Sequence, residues 1–404
     1  MHQFSLRSVA GIAAALACTS GAALAEPPQY KVTILGHVVP GDYAFPVPTA
    51  INEAGEIVGR YTSAGWTQEG FIWRPGEGTS ALPSPDGLPY SIPAEINDDG
   101  VIVGTAGTDL IEYETESVAW KLEGGAYTLF PQLVSGRPTR AASINNPGEI
   151  IGSANDGSFN GYVAVRFENG QTEQIFPGVL TTAADINDAG QITGEESRGV
   201  YIWTPGDQDR FILPLAQDRL PYMWAREINS LGHVTGITTG PQVETDYTFL
   251  YTPQTGTILL PPVGRHNFPE GINSQGELVG SSRDTGMGDY AWRWTAEDGL
   301  IALSDLLVPE DSHYGVWYCG DINEAGQIVA VGYDISTDKS VGMLLTPVAD
   351  CPADFNGDDA VNTLDVLAFL NAWSSQADGS DFNGDGAVNT QDVLAFLNAW
   401  TAGC

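Results

Sequence analysis

The sequence predicts an all-β ring, a seven-bladed β-propeller of four-stranded blades closed by its N-terminal strand, followed by a small all-α unit of two loop–helix repeats. Three observations predict it. A nine-residue motif, Ile-Asn-x-x-Gly-x-Ile-Val-Gly in its commonest form, recurs seven times, with successive Ile positions 45, 48, 42, 42, 44 and 50 residues apart. A period in the forties marks solenoids and propellers. The last repeat stops one strand short, whereas a spare strand, residues 30–35, precedes the first repeat. Near the C-terminus, an acidic twelve-residue stretch followed by an apolar helix occurs twice, 27 residues apart.

Composition bounds the classes that fit. At 404 residues the chain exceeds one ordinary core, and 42% hydrophobic residues with 48 Gly describe a folding, turn-rich chain. Net charge is −35, from 16 Lys+Arg against 51 Asp+Glu, which opposes nucleic acid and anionic lipid as partners. The first residues read as a secretion signal: Arg7 is the basic element, Val9 to Cys18 is apolar but too short to span a bilayer, and Ala23-Leu24-Ala25 is a small-x-small cleavage site. Residues 1–25 are therefore expected to be a signal peptide, with Glu26 the mature start. The rival is lipoprotein processing at Cys18, but Ala15-Leu16-Ala17 places Ala where a branched apolar residue is usual. No later segment has the apolar length to cross a bilayer. A secreted protein without a membrane span of its own is expected.

Residues 26–348 form the repeat array. The motif pairs are Ile51-Asn52, Ile96-Asn97, Ile144-Asn145, Ile186-Asn187, Ile228-Asn229, Ile272-Asn273 and Ile322-Asn323. The apolar residue before Asn ends a first strand. Asn-x-x-Gly is a turn, because Asn bonds its own backbone and Gly supplies positive φ. Ile-Val-Gly opens a second strand. A third follows, as in Phe71-Ile72-Trp73 and Tyr201-Ile202-Trp203, and a fourth after a turn, as in residues 79–82 and 257–260. The seventh repeat reaches its third strand at Met343-Leu344-Leu345 and has no fourth. Tyr30 to Leu35 is expected to fill that place, closing the ring and leaving no sheet edge to aggregate.

The motif, with its downstream Phe/Tyr-Ile-Trp-x-Pro-Gly, resembles the HAF family of bacterial extracellular repeats over roughly residues 30–348. That resemblance implies an extracellular setting and no defined reaction. No catalytic residue is assigned. His37, His233, His266 and His313 show no two-His metal spacing, and no Gly-x-Ser-x-Gly elbow occurs. Glu95, Glu227 and Asp321, each just before an Ile-Asn pair, are expected at the surface. Trp66, Tyr222, Trp224, Trp317 and Tyr318 are expected to pack between blades, with sugar stacking the alternative. The seven Asn residues are expected to serve turns rather than a ligand.

The C-terminal residues 351–404 carry the strongest chemical signal. Asp354, Asn356, Asp358, Asn362 and Asp365 occupy positions 1, 3, 5, 9 and 12 of the first loop, with the carbonyl of Ala360 at position 7. Asp381, Asn383, Asp385, Asn389 and Asp392, with Ala387, repeat them. Hard oxygen donors at this spacing suit Ca²⁺, which takes 6–8 of them, so two Ca²⁺ ions are expected. Asp359 stands where Gly is usual at position 6, and Gly386 is regular. Each loop leads into a helix with an apolar stripe, Val366, Phe369, Leu370 and Trp373 in the first. Cys351 and Cys404 bracket the unit and are the natural disulfide pair outside the cytoplasm, worth about 4 kcal/mol in the chain-entropy model. Cys404 as an attachment point is the rival. Cys319 is then the odd thiol, expected to be buried.

The two units resemble type I dockerins across residues 351–404, and Cys-Pro-Ala-Asp with the final Ala-Gly-Cys is similar to the GC-type subclass. The resemblance implies docking to a cohesin-like or other surface protein, with Thr363, Leu364, Thr390 and Gln391 matching the loop positions that read the partner. The expected function is a non-enzymatic, surface-displayed repeat protein held by a calcium-dependent dockerin. The alternative is a lectin or enzyme acting on extracellular polysaccharide, with a glycan as a further partner.

Overall fold

The computed structural model describes residues 27–402, apart from 39–44, 64–66, 109–116, 159–160, 216–220, 241–243, 285–287, 349–350, 357–359, 378 and 384–385. The signal-peptide residues and Trp66 therefore lie outside the described residues. Seven four-stranded antiparallel sheets follow one another. In blade 1 the order is Val47–Ile51, Ile57–Thr62, Gln68–Arg74 and Gly78–Ala81. Blades 2 to 6 repeat it, with first strands Tyr90–Ile96, Thr139–Ile144, Asp185–Ile186, Tyr222–Ile228 and His266–Ile272. Blade 7 takes three strands from Tyr314–Ile322, Ile328–Asp334 and Lys339–Pro347, and its fourth from Tyr30–Ile34. Tyr30 pairs with Pro347 and Ile34 with Met343, so the first and last strands of the array share one sheet.

The motif explains this geometry. In each turn Asn accepts twice: Gly55 N–H donates to Asn52 O at 3.0 Å, and Glu56 N–H to Asn52 Oδ1 at 2.8 Å. Gly55 sits at φ +75°, where a side chain would be strained. The second motif glycine answers a different need. In the first strands of blades 1, 2, 3, 5 and 6 the pairing register breaks two residues before Ile, as between Ala225 and Glu227. This is a β-bulge, which bends the strand and re-aims side chains. The bulge brings the carbonyl of Trp224 so close to the second strand that a Cβ on Gly236 would lie 2.0 Å from it. Blade 7 has Ala330 at the motif position and carries a second bulge, between Val316 and Tyr318. There the crowded glycine has moved to Gly332, whose Cβ would meet Gly315 O at 2.1 Å.

Between blades, alternate side chains interlock in apolar clusters. Tyr30, Leu303, Val316, Cys319, Met343 and Leu345 form one, uniting the N-terminal strand with blades 6 and 7. Burying each large apolar side chain contributes about 1.5–3 kcal/mol. Cys319 is a free, buried thiol within this cluster.

The C-terminal unit is two helices, α1 (Thr363–Ser375) and α2 (Thr390–Ala402). They pack through Phe369 and Phe396, both fully buried and stacked at 4.3 Å. Phe355 and Phe382 from the loops meet this pair edge-on. Leu370, expected on the packed stripe, is exposed together with Leu364 and Leu367. The α1 stripe turned inward is Val366, Phe369 and Trp373.

Candidate functional site

Two places collect the chain's chemistry: the C-terminal loops and the propeller channel. In the loops, the residues at positions 9 and 12 fix the start of each helix. Asn362 caps α1, accepting Leu364 N–H at 2.8 Å, and Asn389 accepts Gln391 N–H at 2.8 Å. Asp365 is fully buried and accepts N–H groups from Asn356 at 3.1 Å and Asn362 at 2.8 Å. Asp392 repeats this with Asn383 at 3.2 Å and Asn389 at 2.6 Å. These donors hold both carboxyls below the usual range, so both are anionic. Gly386 N–H donates across the second loop to Asp381 Oδ2 at 2.8 Å, with Gly386 at φ +83°. Each loop is tied to the opposite helix: Trp373 Nε1 donates to Asn389 O and Trp400 Nε1 to Asn362 O, both at 2.8 Å.

The donor set fits calcium. Residues 351–404 contain eight Asp and no Lys, Arg or His, so no protein cation within the unit can neutralise the two buried carboxylates. The remaining donors of the two loops are the carboxylates of Asp354, Asp358, Asp381 and Asp385 with amide and backbone oxygens, the hard ligands that Ca²⁺ prefers. Asp358, Asp359 and Asp385 lie outside the described residues, and among those described no group of three or more acidic, His or Cys side chains forms a metal cluster. Thr363, Leu364, Thr390 and Gln391 are all exposed at the helix starts. Cys351 is disulfide-bonded, and Cys404 lies outside the described residues.

The channel holds what the sequence reading placed elsewhere. The seven motif Asn side chains are buried, and each Nδ2 donates to the backbone carbonyl of the next blade's Asn, at 2.8 to 3.4 Å, until Asn323 donates to Asn52 O and closes the belt. A cavity of about 630 Å³ lies at this belt, with Asn52, Asn97, Asn145, Asn187 and Asn229 in its wall. Glu95, Glu227 and Asp321, expected at the surface, line it together with Asp185. The reason is that the residue before Ile lies on the first strand, which faces the channel. Asp185 and Asp321 act as staples: Asp185 accepts Ile228 N–H at 2.8 Å, and Asp321 accepts Ile51 N–H at 3.1 Å. Burial, reinforced by neighbouring carboxyls, raises Glu95, Glu227 and Asp321 above the carboxylate range.

The aromatic residues also differ from expectation. Tyr222, Trp224 and Trp317 are exposed by 50%, 45% and 39% rather than packed between blades. They stand in the first halves of the first strands Tyr222–Ile228 and Tyr314–Ile322. Trp317 is stacked on Tyr333 at 5.2 Å, and Tyr318 is half-buried. Arg226, Glu270 and Glu195 beside them were not singled out from sequence. A usable signal was present, because the column two before Ile is otherwise Thr, Ala or Gly.

Comparison with known proteins identifies a dockerin type I domain at residues 352–399. No curated protein matches the chain in sequence. Among solved structures, the chain is similar to TolB from Acinetobacter baumannii at 12% identity, covering 77% of this chain and 65% of that one with a TM-score of 0.40. Virginiamycin B lyase from Staphylococcus aureus matches at 11%, covering 79% and 100% with a TM-score of 0.47. Oligogalacturonate lyase from Vibrio parahaemolyticus matches at 8%, covering 78% and 93% with a TM-score of 0.49. Likeness at this level assigns no activity to the chain. Its identified part is the tail: a propeller of seven four-stranded blades carries a type I dockerin domain.

Proposed function

We propose that this chain is a secreted, non-enzymatic display protein, its propeller tethered to a cohesin-like surface partner by a tail that two Ca²⁺ ions hold folded. The observation that carries this reading is the duplicated loop–helix unit, with its buried Asp365 and Asp392 and no basic residue to pair with them. Calcium supplies the positive charge that these oxygen donors lack, and site formation is coupled to folding in such small units. Thr363, Leu364, Thr390 and Gln391, with the exposed Leu367 and Leu394 on the following turns, form the docking face. Secretion rests on the N-terminal signal and a Cys351–Cys404 bridge. The motif's likeness to HAF repeats supports an extracellular propeller. No described helix is long and apolar enough to cross a membrane.

The test is capture of the full mature chain on immobilised type I cohesin-bearing protein, with calcium and with excess chelator. Capture that needs calcium and is lost in Asp365→Ala with Asp392→Ala supports tethering. Capture that persists in chelator contradicts it.

A further inference from the structure

The repeats place the same residue types at the same points of all seven blades, so departures from the repeat mark where the ring is specialised. All first strands run toward the asparagine belt, and their starting ends surround the opposite mouth of the channel. Two residues before Ile, at the bulge, five blades carry Thr49, Ala94, Ala142, Ala184 and Gly320. Blades 5 and 6 carry Arg226 and Glu270 instead. Two residues nearer the mouth, the same sector presents Trp224, Phe268 and Tyr318, in equivalent pairing positions of blades 5, 6 and 7. Blade 7 adds Trp317 through the extra bulge found in no other first strand with a described pairing register. Bulges that re-aim a side chain cluster next to binding sites.

The polar groups form one neighbourhood. The Tyr318 hydroxyl and the Glu270 carboxyl are neighbours, and Arg226 lies within electrostatic reach of both Glu270 and Glu195. Glu195 is fixed by Ala225 N–H at 3.0 Å. Arg226 is exposed and forms no ion pair among the described residues.

We propose that this mouth binds an uncharged saccharide chain, stacked on Trp224, Phe268 and Trp317 and hydrogen-bonded through its hydroxyls to Arg226, Glu270 and Tyr318. A sugar ring offers an apolar C–H face to an aromatic ring and a rim of hydroxyls to planar polar groups. Amphipathic aromatics beside convergent polar groups match both. A purely apolar ligand would strand the Arg226 and Glu270 charges. A polyanion would meet a chain of net charge −35 and the Glu195 and Glu270 carboxyls, which stand beside Arg226 and, at Glu270, also Arg283. This site belongs to blades 4 to 7 and does not depend on the dockerin.

The test is affinity electrophoresis of the full chain, in calcium, through native gels containing a β-glucan, an α-glucan, a xylan or a mannan, with alginate and polygalacturonate as charged arms. Retardation by at least one neutral polymer is expected, weakened at least about tenfold in Trp224→Ala and Trp317→Ala and also weakened in Arg226→Gln. Leu231→Ala, exposed by 57% in a turn at the opposite mouth, should migrate like the parent. Absence of retardation in every neutral gel overturns the proposal. So does retardation confined to the charged polymers, or retardation that survives the Trp224→Ala, Trp317→Ala double substitution.

Discussion

Replacing Asn187 with Ala tests whether the belt holds the ring together. Asn187 is buried, and its Nδ2 donates to Asn229 O at 2.8 Å and Gln191 Oε1 at 2.9 Å. Its Oδ1 accepts Gln191 N–H at 3.0 Å and Ala189 N–H at 3.1 Å. Ala removes the belt bond, the bond to Gln191 Oε1 and both turn bonds. Asn229 O keeps Gly232 N–H as a partner at 3.0 Å, so the belt bond is worth about 1 kcal/mol net rather than the full cost of a stranded acceptor. With about 1 kcal/mol for each of the other three bonds, the loss comes to about 4 kcal/mol. Asn187→Asp separates the parts. It keeps the turn acceptor but sets an oxygen against Asn229 O, and should cost about 1–2 kcal/mol. The assay is urea unfolding followed by tryptophan fluorescence, in excess calcium so that the tail stays constant. If both variants unfold within about 0.5 kcal/mol of the parent, the belt is incidental to stability and the reasoning fails.

Other outcomes follow from the same structure. The carboxyls of Glu195 and Glu270 are pushed up to about 7 chiefly by burial, and Glu227 is raised in the same direction. Because the folded-state values of Glu195 and Glu270 lie above the unfolded ones, their stabilisation is fully present below the unfolded carboxylate range and is lost as pH rises through about 7, and Glu227 contributes in the same direction. The propeller should therefore resist urea better at about pH 5 than at about pH 8, and Glu227→Gln should flatten that difference. An Ala in place of Gly236 would set its Cβ 2.0 Å from Trp224 O, forcing the bulge to move. A loss of about 2 kcal/mol or more is expected by urea titration. Phe396→Ala removes one half of the stacked pair between α1 and α2 and should cost about 3–5 kcal/mol, leaving a tail whose helical circular dichroism no longer responds to calcium.

The repeat made the ring legible before any coordinates. Strand order, the turn at Asn-x-x-Gly and closure by the N-terminal strand all follow from patterns of two, four and about forty residues. In the last repeat Ala330 stands where the other six carry Gly. It is the trace of the second bulge at Trp317, which carries the crowded position to Gly332. The loop spacing likewise made the tail's chemistry readable, because ligand positions in such a loop are close in sequence. The channel was harder to read. Asp185, Glu227 and Asp321 approach one another only after the ring closes, and a bulge decides that the residue before Ile faces inward. Exposure of Trp224 and Trp317 was misjudged for a related reason. An aromatic side chain between strands ordinarily packs, but the first strand of a blade has one face with no sheet beyond it.

Calcium titration calorimetry on the chelator-treated full chain tests the central claim most directly. The account predicts heat that saturates near about two ions per chain, halved by Asp392→Ala and absent when Asp365→Ala is added. Heat that is absent from the parent, or unchanged in the double variant, would contradict it.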